Sequence, residues 1–387
     1  MNFELTGDQK TLQSMVQDFA QREIAPVAEK LDREGKFPVD LVNKVAEIGV
    51  PALPFAEEHG GMGLGMMEVA LALEQIARAD QSLAITIMTN MACGLTLAQF
   101  GHKDLVQRYL PDIVAGRTCC GIGGTEPNAG SDTAGFKTRA VKKDGGWVLN
   151  GEKAFITNGG TDLTSFMMFL AVSSERDAAR KSFSLFLVPR DTAGWTVGES
   201  YRKMGWRSSD TRPHYLQDCY VPDDHVVGPL HKGRYALHKV YQRARVFVAA
   251  SSVGLAQACL DHSIAFAKSR QAFGGPIGRL QLIQEMIAEM AILVDTARLL
   301  TYRAAWNVDN GIDDLKSLAM AKHYACSAGT KCADLAIQVH GGWGYMDDCP
   351  VSRYYRDNRI LTIGDGSSQI QILMIARELG LPSAFEP

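Results

Sequence analysis

The chain has 387 residues, with 40 Lys and Arg against 43 Asp and Glu, for a formal net charge of −3. Apolar residues make up 46% and charged residues 21%, the balance of an ordinary globular protein. That excludes a disordered chain, a collagen-like repeat and a strongly basic nucleic-acid binder.

At ~100–200 residues per domain, two or three domains are expected. The opening residues carry no basic stretch followed by an apolar run and are too acidic for a transit peptide. No apolar run approaches the ~20 residues that cross a bilayer. The longest candidate, Val246 to Leu260, is broken by Ser251, Ser252, Gly254 and Gln257. The expectation is a cytoplasmic protein, or an organelle protein whose leader has been removed, with neither membrane nor nucleic acid as partner. Eight cysteines without a C-x-x-C spacing predict reduced, mostly buried thiols. The scattered histidines show no metal-ligand spacing, so no metal site is expected.

In chain order, Thr6 with Gln9 resembles a capping box, and Leu12, Met15, Val16 and Phe19 follow at helical spacing. Leu41, Val45 and Ile48 form a second stripe, and Met67 to Ala79 a third. From about Cys120 the texture changes: Trp147–Leu149, Phe166–Val172 and Phe183–Val188 are short apolar runs between turn residues, as in an antiparallel β domain. Helical patterns return from about Tyr235, over Leu280–Arg303, Leu315–Gln338 and Gln369–Leu379. The order predicts an α+β protein: an N-terminal helical domain (1–120), a middle antiparallel β domain (121–234) and a C-terminal four-helix bundle (235–387).

Four segments carry chemistry. Gly123-Gly124-Thr125-Glu126-Pro127-Asn128-Ala129-Gly130-Ser131-Asp132 can turn backbone N–H groups inward as an anion nest, with Thr125 and Ser131 adding hydroxyls; alone it reads equally as a connection into the β domain. Gly151-Glu152-Lys153-Ala154-Phe155-Ile156-Thr157-Asn158-Gly159 places an aromatic and a hydroxyl two apart on one strand face; alone it is an ordinary half-buried strand. In Arg270-Gln271-Ala272-Phe273-Gly274-Gly275-Pro276-Ile277, followed by Gln281, an arginine suited to phosphate precedes a helix break, or is simply a surface arginine. In Ile363-Gly364-Asp365-Gly366-Ser367-Ser368-Gln369-Ile370-Gln371 a carboxylate stands between glycines that admit a ligand to the backbone. Ser367 and Ser368 can cap the helix that follows; the plain alternative makes Asp365 a turn residue. There is no G-x-G-x-x-G between strand and helix and no P-loop.

Taken together, in this order, these segments resemble the acyl-CoA dehydrogenase family over essentially the whole chain. The shared patterns are T-E-P-x-A-G-S-D, G-x-K-x-x-I-T-N, R-x-x-F-G-x-P-I-x-x-x-Q, Q-x-x-G-G-x-G (Gln338 to Gly344) and G-[ST]-S-Q-I-Q. Lys203 to Ser208 and Val221-Pro222 also stand where that family has β-domain segments. The resemblance implies non-covalent FAD, an acyl-CoA substrate, a homotetramer and electron-transferring flavoprotein as electron acceptor. It implies that Ile122, Gly123, Gly124, Thr125, Gly130 and Ser131 cradle the flavin edge and pyrophosphate. Phe155, Ile156 and Thr157 would lie along the isoalloxazine, with the Thr157 hydroxyl near N5. Arg270, Phe273, Gln281, Gln338, Gly341 and Gly342 would reach the FAD of a neighbouring subunit, and Ser367 and Gln369 would complete the pocket. Ser131 and Arg245 would hold the thioester, with Gly364 and Gly366 beside it.

The family places Glu, often after Tyr, where this chain has Gly364-Asp365. Some branches carry the base one residue before the arginine matching Arg245, a position held here by Ala244. Asp365 is thus the carboxylate at either location, expected to take the Cα proton. Its side chain is shorter by ~1.5 Å, and Gly364 clears further space, which points to a branched or alicyclic acyl group such as cyclohexanecarboxyl-CoA. Rival readings are the reverse enoyl-CoA reduction, an acyl-CoA oxidase, the DNA-binding branch of the superfamily and a scaffold that keeps FAD for structure.

Overall fold

The computed structural model describes residues 4–175 and 180–382. The outermost residues of the expected first and last domains, 1–3 and 383–387, lie outside the described residues, as do 176–179. The chain opens with helices α1 (Gly7–Phe19), α2 (Ala25–Glu34), α3 (Val39–Glu47), α4 (Met66–Ala79), α5 (Gln81–Phe100) and α6 (Lys103–Val114). Thr6 and Gln9 form the expected capping box: each side chain accepts the other's backbone N–H, at 3.2 and 3.0 Å. Asp80 caps α5 by accepting from Ser82 N and Leu83 N.

The expectation that no apolar run approaches membrane-spanning length is corrected by helix α5. Helix α5 has 20 residues and a mean hydropathy of 1.4, long and apolar enough to cross a membrane by composition alone. In this fold it is a core helix, with 72% of the apolar window buried inside the protein.

A sheet follows, with strands β1 (Cys119–Gly123), β2 (Arg139–Lys143), β3 (Gly146–Thr157), β4 (Thr164–Val172), β5 (Phe183–Pro189), β6 (Trp195–Val197), β7 (Thr211–Pro222) and β8 (Val226–Val227). The order is β6-β7-β3-β2-β4-β5-β8, with β1 added alongside β4. Most pairs are antiparallel, as expected from the alternating texture. The exceptions are β1, which runs parallel to β4, and the single parallel contact of β2 with β4. No local pattern reveals these, because each partner lies tens of residues away.

The second helical part contains α7 (Gly233–Ser269), a short hairpin of β9 (Gln271–Ala272) and β10 (Gly275–Pro276), then α8 (Gln281–Asp309), α9 (Leu315–His340), α10 (Pro350–Asn358) and α11 (Ser368–Glu378). The two helical parts share one hydrophobic core. Leu73, Ile76 and Leu83 belong to the same buried cluster as Phe247, Ala297 and Ala325, and β-strand residues Phe166, Met168 and Leu185 complete it. The outer side of the sheet has its own cluster around Trp147, Phe169, Phe186 and Trp195. Asp309, at the end of α8, accepts from Met66 N at 2.6 Å and Met67 N at 2.9 Å and so caps α4 from across the molecule. All eight cysteines are buried and unpaired.

Candidate active site

Asp365 sits in the loop between a short helical turn (Arg359–Thr362) and α11. Asp365 and Gly366 both adopt positive φ, 52° and 81°, a conformation that short polar residues and glycine tolerate. Asp365 is exposed as a residue, and its carboxyl lies close enough to Tyr241, Lys322 and Cys326 for its charge to act on each. Burial raises its carboxyl above the usual range, against the opposing pull of Lys322. Ser367 caps α11 by accepting from Ile370 N at 3.4 Å, as the sequence predicts.

Residues given no role by the sequence hold this loop. Lys322, on α9, is fully buried. Its ammonium donates to the carbonyls of Leu361 (2.7 Å), Gly364 (2.9 Å) and Gly366 (2.7 Å). Gln371, also fully buried, donates to the same Gly366 carbonyl at 3.0 Å. Arg245 donates through Nε to Gln371 Oε1 at 3.1 Å, and one of its Nη atoms to the Met374 sulfur at 3.3 Å; the other has no partner among the described residues. Burial lowers both cations, Arg245 to about 10. Of the G-[ST]-S-Q-I-Q glutamines, Gln371 is thus inside the site, while Gln369 is exposed. A signal for Lys322 was present: it interrupts the small apolar stripe of Leu318, Ala325 and Gly329 at helical spacing.

The loop after β1 is shaped by an internal ion pair. Glu126 and Ala129 exchange backbone hydrogen bonds, closing a tight turn. The buried Glu126 carboxylate accepts from Lys137 N, Thr138 N and the Lys153 ammonium at 2.6, 2.9 and 2.9 Å. Lys153 also donates to Gly124 O at 3.0 Å. Burial pushes Lys153 down to about 8, against the charge of Glu126. A Cβ built on Gly124 or Gly130 would meet nothing within 4 Å, so the backbone there is open to a ligand; one on Gly123 would strike the Phe169 ring at 2.6 Å. Gly123 is therefore needed for interior packing. Ile122 and Thr125 are half-buried and Ser131 is exposed. On β3, Ile156 points into the sheet core, while Phe155 is 63% exposed at a bulge with φ 62°. Thr157, two residues on, is half-buried.

A third group gathers at the end of the helical bundle. Arg270, Gly341 and Gly342 line one open cleft of about 640 Å³ with Phe266, Ile277, Val339, His340 and Trp343. Gln281 and Gln338 are exposed. Phe273 is 84% exposed at φ 52°, on the tip of the β9–β10 hairpin. These features fit a dinucleotide with a flat ring. The backbone cradle at Gly124 and Gly130 is open, an exposed aromatic ring stands at Phe155 beside Tyr201, and an arginine lines a cleft walled by bare glycines.

The sequence matches the acyl-CoA dehydrogenase N-terminal domain over residues 6–117, the middle domain over 121–219 and the C-terminal domain over 231–380. A probable acyl-CoA dehydrogenase of Bacillus subtilis, YngJ, is 40% identical over 98% of this chain and 100% of its own length. A mitochondrial 2-methylacyl-CoA dehydrogenase of Solanum tuberosum is 36% identical over 97% of this chain and 91% of its own. The structure of butyryl-CoA dehydrogenase from Megasphaera elsdenii superposes with a TM-score of 0.94 at 30% identity, covering 98% of this chain and 100% of that one. The chain belongs to the acyl-CoA dehydrogenase family. It is an oxidoreductase acting on acyl-CoA, with FAD as its cofactor.

Proposed function

We propose that the protein removes a Cα proton and a Cβ hydride from a short branched or alicyclic acyl-CoA, cyclohexanecarboxyl-CoA being the type substrate, with Asp365 as the base. One observation carries the reading. The Asp365 carboxylate and N–H make no hydrogen bond to any described residue, although the carbonyls on either side of it are held. A structural turn aspartate uses its carboxylate to bond nearby N–H groups; this one is left free. Asp365 takes the proton as the Cα–H bond breaks, and its raised carboxyl suits that work near neutral pH. Its backbone N–H donates to the thioester carbonyl, where negative charge develops. When bound, FAD supplies the acceptor for the hydride leaving Cβ. Arg245 and Ser131 hold the thioester, the buried guanidinium adding positive charge beside the acyl group.

The loop from Ile122 to Ser131 cradles FAD, with Phe155 and Thr157 along its ring system and Ser367 and Gln369 closing the pocket; Ile156, whose side chain packs in the sheet core, serves there through its backbone alone. Arg270, Phe273, Gln281, Gln338, Gly341 and Gly342 serve the FAD of a neighbouring subunit in a homotetramer, a role suited to the projecting Phe273. Electron-transferring flavoprotein takes the electrons onward.

The space at the base supports this substrate class. Aspartate retracts the carboxylate by ~1.5 Å relative to the family's Glu. A Cβ on Gly364 would meet nothing nearer than Ile360 O at 3.6 Å, so no neighbour has moved into the place of a side chain there. Gly364 thus leaves width for substituents on Cα and Cβ, whereas at Gly366 the space is taken by the Gln371 amide, 2.7 Å from where a Cβ would sit. The test is an anaerobic titration with straight, branched and cyclic acyl-CoAs, following loss of flavin colour. Cyclic or branched thioesters are expected to bleach it fastest. Faster bleaching by butyryl- or octanoyl-CoA would overturn the assignment.

A further inference from the structure

A buried ammonium normally finds a carboxylate, because an uncompensated interior charge is strongly unfavourable. Lys322 has none. It makes no ion pair among the described residues, and the three carbonyls it bonds all belong to the one loop, at Leu361, Gly364 and Gly366. Two of them flank Asp365, so the residue is fixed from both sides of its Cα. The same ammonium leaves the carboxylate itself unbonded. Gln371 holds the Gly366 carbonyl a second time and is oriented in turn by Arg245. The backbone so held is one that a non-glycine residue adopts only under constraint, with φ 52° at Asp365.

We infer that Lys322 is a positioning residue for proton abstraction: by gripping the carbonyls on either side of Asp365 it fixes where that short carboxylate meets the substrate Cα, with Gln371 as the second grip. The inference rests on Asp365 being the base. A carboxylate one methylene short has little reach to spare, and a displacement of ~1 Å costs on the order of 100-fold in rate. Lys322 is also the charge that opposes burial at Asp365, so its loss moves the acid limb of the reaction to higher pH. A lysine that only stabilised the fold would change neither the rate per bound flavin nor that limb.

The test compares wild type, Lys322→Gln, Gln371→Leu and Asp365→Asn as flavin-loaded enzymes. Single-turnover flavin reduction by cyclohexanecarboxyl-CoA is followed across pH. Amide hydrogen exchange over residues 361–367 is measured on the same proteins without thioester. For Lys322→Gln the limiting rate per flavin is expected to fall ~100-fold. Half-saturation should change little, the acid limb should rise in pH, and exchange over 361–367 should quicken. A limiting rate near that of wild type, an unmoved acid limb or unchanged exchange would overturn the inference. If Lys322→Gln does not yield flavin-loaded protein, Gln371→Leu decides. A fall in its limiting rate with half-saturation unchanged supports the role, and an unchanged rate overturns it. Retained flavin reduction in Asp365→Asn would remove the base and this inference with it. An inert Asp365→Asn beside a Lys322→Gln that reacts at the wild-type rate would remove the positioning role alone.

Discussion

Asp365 shares its positive φ with ordinary turn aspartates, but combines it with two properties they avoid, an unbonded carboxylate and a desolvated surround. The last has a thermodynamic consequence. The folded protein holds the Asp365 proton more tightly than the unfolded chain, whose carboxyl titrates near ~3.9. Stability therefore falls as pH rises from the unfolded value through the raised folded value, and the loss stays in force at neutral pH. Asp365→Asn removes that charge. It should melt at the same temperature as wild type or higher at neutral pH, while losing flavin bleaching by acyl-CoA. Calorimetry of the two proteins with a bleaching assay checks both halves; a lower melting temperature or retained bleaching would contradict the assignment. At this scale the legible residues announce themselves locally. Asp365 is marked by its flanking glycines, and Ser367 by its place before a helix. Lys322 and Gln371 do their work across the fold on backbone carbonyls, which carry no side-chain signature, so only a charge out of place in an apolar stripe hinted at the lysine.

Helices α4 and α7 cross closely enough that side chains are excluded from the contact. A Cβ on Gly254 would lie 2.1 Å from the Glu74 carbonyl oxygen, which is backbone and cannot swing aside. The crossing is reinforced by the buried Glu74 side chain, which accepts from Arg298 at 2.9 Å and Tyr302 at 2.8 Å on α8. Gly254→Ala should force the helices apart and cost about 1–3 kcal/mol, the usual range for overpacking. Denaturant unfolding would read this as a lower midpoint with an unchanged slope; an unchanged midpoint would mean the crossing is looser than it looks. Helix existence was legible from periodicity, and Leu280–Arg303 and Leu315–Gln338 correspond to α8 and α9. The apolar α5 carries no such stripe, because Thr, Ser, Asn and Gly stand between its aliphatic residues. In the sequence Gly254 interrupts an apolar run, where it reads as a weak point of a helix. Its purpose is set by a partner helix some 180 residues earlier, beyond the reach of any local pattern.

The sheet is joined to the helical body by a buried polar junction whose charge state depends on pH. Trp206, in the loop before β7, donates its backbone N–H to Asp357 at 2.6 Å and its indole N–H to Gln81 at 2.9 Å. Gly205 lets that loop close on α10, where an added Cβ would sit 2.3 Å from Arg356 O. Around Asp357 stand Arg353, Asp80 and Asp32, with Arg356 bonded to Asp32 at 2.5 and 3.0 Å. Burial pushes Asp357 up to about 7, helped by the charges of Asp80 and Asp32 and opposed by Arg353. The folded protein thus keeps this proton to higher pH than the unfolded chain, and the junction weakens as pH climbs from about 4 to about 7. Asparagine preserves the acceptor for Trp206 without the charge. Asp357→Asn and wild type should therefore melt at similar temperatures near pH 4. The variant's advantage should grow up to about pH 7 and stay level above it, since the wild-type carboxyl is by then ionised in both states. Scanning calorimetry at fixed ionic strength across that range tests the sign directly. A variant less stable than wild type at pH 8 would show that the ionised carboxylate holds the junction together through Arg353, and that its charge there is an asset to the assembled molecule.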